Sequence, residues 1–303
     1  KYEKIVESNE KYNFTYFRKG KIFRLQKMGE CFGDVTPVLQ LNNLSHIKER
    51  RNYSVHIVEN SNLAYINYEK FIELLKLEKE EALMMPKDYI EAVCNYDINR
   101  VDDVKRNPYL AKAILKSYAR QVCTIDSDEA LLNDVKANFE EISDKTLADY
   151  INVFKKLFLI EEIPAWNPNI RSKTSIRTSP KKTFVDPALA TAALETSPEE
   201  LMMNPKTFGF LFENLVNRDL SVYSEELGGY LRHFRDRYGL ECDNVIHFEN
   251  GKYALIEVKL GSVEGIKEAE EHLLKLQKLI KEHGLKEPDF MMVITGHSPI
   301  AYT

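Results

Sequence analysis

The stretch from Glu241 to Leu260, ECDNVIHFENGKYALIEVKL, decides the fold. Asn250-Gly251 at its centre is a strong hairpin signal, because tight hairpin turns need residues that tolerate positive φ. Apolar, β-branched and aromatic residues flank it: Val245, Ile246 and Phe248 before, Tyr253, Leu255 and Ile256 after. Two strands over residues 243–248 and 253–260 are therefore predicted. In the second, Ile256-Glu257-Val258-Lys259-Leu260 alternates apolar and charged residues. A period of two puts Glu257 and Lys259 on one face and Ile256, Val258 and Leu260 on the other.

Alone, that alternation is the ordinary look of a solvated edge strand. Three neighbours change its weight. Asp243 lies on the preceding strand and can come beside Glu257 across the turn. The apolar flanks of residues 256–260 suggest a central strand, where unpaired charge is costly. Upstream, Glu213 sits in a predicted helix over 208–220, among Phe210, Leu211, Phe212, Leu215 and Val216. Asp243 and Glu257 could hold a hard divalent cation, Mg²⁺ or Mn²⁺, through carboxylate oxygens. Lys259 would orient a water and stabilise charge on a phosphate, with Glu213 completing the shell. Register decides this. A strict two-residue turn pairs Asp243 with Val258 and faces it away, whereas a three- or five-residue loop, or a bulge, pairs it with Glu257 or Lys259. The sequence leaves both open.

Working upstream, residues 87–165 read as helices over 109–122, 127–138 and 146–157, then a strand over 159–163. Ser143-Asp144-Lys145-Thr146 offers N-cap chemistry for the last helix. This is the element order of a winged helix-turn-helix. Residues 170–183 form a basic loop, with Arg171, Lys173, Arg177, Lys181 and Lys182 and no acid. It suits contact with a phosphate backbone or, more plainly, a solvated loop. His233 and Arg235, on one face of a strand over 230–235, offer a second place for substrate phosphates. A helix over 264–283 and a strand over 290–295 end the order. Trp166 reads as a packing residue.

Glu213, His233-Phe234-Arg235-Asp236, Glu241-Cys242-Asp243 and Ile256-Glu257-Val258-Lys259 together resemble a domain of uncharacterised prokaryotic proteins. That domain follows an AAA+-type P-loop ATPase and is similar to PD-(D/E)XK nucleases. Upstream matches include residues 159–166 and Ser179-Pro180-Lys181, so the likeness runs over about residues 87–303. The resemblance implies a restriction-endonuclease-like α/β core with Lys259 and Glu213 as catalytic residues and Asp243 and Glu257 as metal ligands. It also implies an ATPase partner, since no G-x-x-x-x-G-K-[ST] occurs in this chain.

The first 85 residues differ in texture. Short strands over 22–25, 53–58 and 63–66 precede a helix over 68–85, and a domain boundary is placed at Met85-Pro86. Gly29, Phe32-Gly33-Asp34 and Arg51 resemble the cyclic-nucleotide-binding β-roll of Crp-type regulators, in which a Phe-Gly-Glu turn holds the ribose and an Arg the cyclic phosphate. Asp34 is one methylene short of the usual Glu, and the interval to Arg51 is too long. A degenerate roll that binds no cyclic nucleotide is expected. The chain opens on Lys1 rather than Met, so the roll is expected to be incomplete.

The expected fold is a multidomain α+β chain: a β-roll over 1–85, a helical winged-helix segment over 86–204, and a nuclease-like core over 205–303. The 303 residues are 44% hydrophobic and 29% charged with net charge −5, so DNA binding would need local basic patches. Scattered Cys31, Cys94, Cys123 and Cys242 fit a reducing cytoplasm. No apolar run is long enough to cross a bilayer, and no membrane role is expected. Two readings follow: a metal-dependent nuclease acting on nucleic acid, or a non-catalytic DNA-binding or ATPase-partner protein with a sensor roll and a relic nuclease fold.

Overall fold

Capped helices give way to strands along the chain, in a computed structural model that describes residues 79–102, 104–169 and 178–296. The chain divides into two units, 1–82 and 83–303, and apart from the first turn of one helix everything below concerns the second. Phe32, Gly33, Asp34 and Arg51 lie outside the described residues, as do Arg171, Lys173 and Arg177.

Helix α1 spans Lys79–Asn95 and contains Pro86. The helix expected to end at Met85 runs on through Pro86. One proline deletes one main-chain donor, and Ile90, Val93 and Cys94 beyond it anchor the helix in the core. Helices α2 (Pro108–Arg120), α3 (Asp128–Lys136) and α4 (Asp144–Lys156) follow. Their N-caps are Asn107, Ser127 and Ser143, whose side chains accept from Tyr109, Ala130 and Thr146 main-chain N–H groups. Each cap supplies about 1 kcal/mol. Apolar residues at helical spacing, among them Ile114, Leu115, Leu131, Leu147, Ile151 and Phe154, close a shared core.

Strand β1 (Ile160–Ile163) pairs antiparallel with β2 (Lys181–Phe184), Ile160 opposite Phe184 and Ile163 opposite Lys181. Part of the expected basic loop is thus a buried strand. Helices α5 (Pro187–Leu194) and α6 (Pro198–Met203) lead to the long α7 (Pro205–Glu226). The helical core extends through Leu189, Ala190 and Leu201 into Leu211 of α7, so it crosses residue 205 without interruption.

The remaining strands are β3 (Gly229–Arg235), β4 (Glu241–Phe248), β5 (Tyr253–Lys259) and β6 (Phe290–Thr295), with α8 (Val263–Glu282) between the last two. They form one sheet in the order β3-β4-β5-β6. β5 is interior, antiparallel to β4 and parallel to β6. Leu273, Leu276 and Ile280 of α8 pack on Val245, Leu255 and Tyr253. The Trp166 ring lies 4.6 Å from the Tyr253 ring, tilted by 45°, a packing residue as expected. The architecture is mixed α and β with two small sheets among the described residues. None of the described helices is long and apolar enough to cross a membrane.

Candidate functional site

Two backbone features build the site. The first is the β4–β5 connection. Phe248 N–H donates to Lys252 O at 2.9 Å, and Gly251 N–H to Phe248 O at 2.9 Å. The loop is therefore Glu249-Asn250-Gly251, with Gly251 at φ 77, a value that a side chain would strain. Three residues in the loop pair His247 with Tyr253 and Asn244 with Ile256. Continued by one step, that register brings Asp243 opposite Glu257, the alternative the site requires.

The second feature is a β-bulge. Arg232 pairs with Val245 but Phe234 pairs with Cys242, so Asp243 and Asn244 together oppose His233. A bulge re-aims side chains and frees ladder groups. The Asp243 carboxylate turns to accept from Val258 N–H at 2.9 Å, and its main-chain carbonyl accepts from Lys181 Nζ at 2.7 Å.

Around this point five charged side chains meet. Lys259 Nζ is 3.0 Å from Glu257 Oε2 and 3.7 Å from Asp243 Oδ2. Lys181 Nζ is 2.5 Å from Glu213 Oε1 and 3.9 Å from Asp243 Oδ1. Glu213, Glu257 and Lys181 are buried at 8%, 3% and 5% exposure, so these charges meet with little water between them. Burial pushes the Glu213 carboxyl up to about 7, against the pull of Lys181. Burial, and then the neighbouring Asp243 carboxylate, raise Glu257 also, with Lys259 opposing. Burial weakens both ammoniums, but Glu213 and Asp243 hold Lys181 charged, and Asp243 and Glu257 hold Lys259 charged. Only when all three carboxyls are ionised do they outnumber the two ammoniums, by one charge.

Helix α7 presents an unusual buried polar face to β2. Glu213 takes Lys181, and the Asn214 amide bonds both Phe184 N–H (2.8 Å) and Phe184 O (2.9 Å). Asn217 Nδ2 donates to Cys123 Sγ at 3.4 Å. Asn244, beside Asp243 in the bulge, is fully buried with neither side-chain polar atom bonded.

The structure brings Glu213, Asp243, Glu257 and Lys259 together. Of the described residues assigned to phosphate contact, Lys181, Lys182 and His233 are enclosed. Lys181 is enclosed by Glu213 and Asp243. Lys182, 2% exposed, bonds Asp126 O and lies 3.6 Å from Asp128 Oδ1. His233, 1% exposed, points its ring inward, and its Nε2–H donates to Ser179 O at 3.1 Å. Its main chain is also clamped, accepting from Trp166 N–H at 2.7 Å and donating to Pro164 O at 3.1 Å. Burial, then Lys181, push the ring down to about 4, so it is neutral. Arg235 alone of these is exposed, 3.2 Å from Glu241 Oε1. Sequence reasoning missed the role of Lys181. Residues 181–184 are too short a run to announce a strand, and a lysine pair reads as surface.

Among the described residues no group of three or more His, Cys, Asp or Glu side chains is gathered as a ready metal cage. Asp243 and Glu257 are the pair that could hold a cation. Mg²⁺ suits such a pair, because it keeps several waters and takes only one or two carboxylates.

Comparison with known proteins follows the same seam. Residues 72–200 match the family model described as Domain of unknown function (DUF8612), and residues 208–300 match Domain of unknown function (DUF4143). No curated protein and no solved structure matches the chain. Lys181 falls in the first matched segment; Glu213, Asp243, Glu257 and Lys259 fall in the second.

Proposed function

We propose that this site hydrolyses phosphodiesters of nucleic acid with a divalent cation, in the manner of the PD-(D/E)XK nucleases that the sequence resembles. One observation carries the reading: the three-residue loop at Glu249-Asn250-Gly251 sets Asp243 opposite Glu257, with Lys259 within 3.0 Å of one and 3.7 Å of the other. Asp243 and Glu257 would hold Mg²⁺ or Mn²⁺, which when bound acidifies a water and neutralises phosphate charge. Lys259, kept protonated by the two carboxylates, would hold the attacking water and stabilise the anionic phosphorus centre. Glu213 lies behind them and, through Lys181, fixes the Asp243 main chain. Exposed Arg235 and Arg237 near the end of β3 could meet a phosphate backbone. The helix–helix–helix–strand–strand order of residues 108–184 supports a winged-helix module for the same ligand.

A second reading has its own observation. Two lysines already neutralise most of the carboxylate charge, as a structural ion cluster would. In that case the chain is a non-catalytic DNA-binding or ATPase-partner protein on a nuclease-like scaffold.

The test is a cleavage assay on single- and double-stranded DNA and RNA with Mg²⁺, Mn²⁺ or chelator. Wild type should cut only with metal, and Asp243→Ala and Lys259→Ala should lose at least about a hundredfold in rate. Equal activity in all three proteins, or none in wild type, rejects the nuclease reading.

A further inference from the structure

Lys181 has no part in the hydrolytic scheme beyond its neighbours, yet its side chain is buried among the carboxylates of the site. Its Nζ has Glu213 Oε1 at 2.5 Å, the Asp243 carbonyl at 2.7 Å and Asp243 Oδ1 at 3.9 Å. Oxygens from a carboxylate, a main-chain carbonyl and a second carboxylate are the kind of donor set a hard cation takes. The carbonyl is open because the bulge at Asp243-Asn244 removes it from the ladder. Lys182, next along β2, points the other way to Asp126 and Asp128, as a period of two demands. Strand β2 therefore carries one ammonium into the carboxylate site and one away from it.

Lys181 reaches the site from the segment before α7. That segment grips the bulge twice more: Ser179 O accepts from the His233 ring, and Pro164 and Trp166 bond the His233 main chain. Phe184, at the other end of β2, is tied to α7 by Asn214.

We infer that Lys181 is a built-in counter-cation of this site, a positioning residue whose ammonium holds the Glu213 and Asp243 oxygens and so weakens binding of a divalent cation. The upstream segment thereby sets the cation affinity of a site whose other four residues lie downstream of it. The inference rests on the cation-site reading of Asp243 and Glu257. A fixed positive charge 3.9 Å from the Asp243 carboxylate, in a partly desolvated setting, should weaken divalent binding at least about tenfold.

The experiment is Mn²⁺ titration of the full chain by calorimetry, with free Mn²⁺ followed by electron paramagnetic resonance. The proteins are wild type, Lys181→Met, Lys182→Met, Glu213→Gln and Lys181→Met/Glu213→Gln. Lys181→Met should bind Mn²⁺ at least about tenfold more tightly than wild type. Lys182→Met loses an equally buried ammonium and should bind as wild type does, a result that a merely structural role for Lys181 would not give. Removing Lys181 leaves Glu213 buried without its partner, and that variant could unfold. The double variant against Glu213→Gln avoids this, and the double variant should still bind several-fold more tightly. Unchanged or weaker binding in folded Lys181→Met and in the double variant overturns the inference, even where wild type binds Mn²⁺ through Asp243. Binding in Lys181→Met where wild type shows none supports it. No Mn²⁺ binding by any variant up to millimolar concentration rejects the cation site itself, and this inference with it.

Discussion

His233 offers a sharp test of the geometry around the bulge, because its effect has a sign, a size and a pH window. The ring is 1% exposed, donates from Nε2 to Ser179 O, and lies near Lys181. Protonation would bury a charge and give Nδ1 a proton to place, so burial and then Lys181 lower the ring from 6.5 to about 4. The unfolded chain takes up a proton as pH falls through 6.5, while the folded chain does not until about 4. Folding therefore loses stability across that window and keeps its full contribution above it. At roughly 1.4 kcal/mol per pH unit, the loss is about 1.4 kcal/mol by pH 5.5 and about 2.5 kcal/mol by pH 4.5. Glu213 and Glu257 act in the opposite direction, because burial raises them and protonation favours the fold. The wild-type curve alone thus mixes both signs. The proper measure is the difference between wild type and His233→Gln, whose amide can still donate to Ser179. Urea unfolding at pH 7.5, 5.5 and 4.5 should show wild type losing about 2.5 kcal/mol relative to the variant between the first and last. A gap that stays constant to within about 0.5 kcal/mol would show that the ring is not buried against β2, and the packing of residues 163–166 and 179–184 on β3 would be wrong.

Two further substitutions probe neighbouring bonds. Asp243→Ala removes the acceptor of the Val258 N–H and should cost about 1–3 kcal/mol more stability than Asp243→Asn, which keeps an acceptor. Both should lose Mn²⁺ binding equally; identical thermal stability of the two would refute the 2.9 Å bond. Asn214→Leu strips the Phe184 N–H and carbonyl of their buried partner, and denaturant unfolding should register a loss of about 2–4 kcal/mol. A loss below about 0.5 kcal/mol would mean that β2 does not dock on α7 through that amide.

How much of this was legible in the sequence depends on the range of each signal. Local signals read well. The cap at Ser143, apolar spacing in α2 and α4, and the Asn250-Gly251 turn located elements to within a few residues. Asp186-Pro187, Ser197-Pro198 and Asn204-Pro205 each pair an N-cap with proline at the first helical position, and they begin α5, α6 and α7. That repeated signal went unused. Long-range facts were not legible. The charges on residues 257 and 259 pointed to a site, but its geometry needed a loop length that Asn250-Gly251 alone does not fix. The bulge opposite His233 has no local signature, and neither does the inward course of Lys181. Helix α1 runs past Met85 for a related reason: a proline ends a helix only where nothing downstream holds it, and Ile90, Val93 and Cys94 hold this one.

The burial of the site follows from where its parts come from. Helix α7 faces the upstream segment with Glu213, Asn214 and Asn217, three polar residues at 8% exposure or less. An apolar face there would pack against almost anything. A polar face is satisfied only by the donors and acceptors that meet it, here Lys181, Phe184 and, for Asn217 Nδ2, Cys123. Leaving any of them unmatched costs on the order of 1–3 kcal/mol. The buried polar seam therefore fixes the docking of β2, where hydrophobic contact alone would tolerate sliding. That same constraint holds the Asp243 carbonyl and the Glu213 carboxylate in place. The seam that joins the two matched segments is in this way also the frame of the carboxylate site. Changes at β2 should be felt at Asp243 even though neither β1 nor β2 belongs to the sheet that carries it.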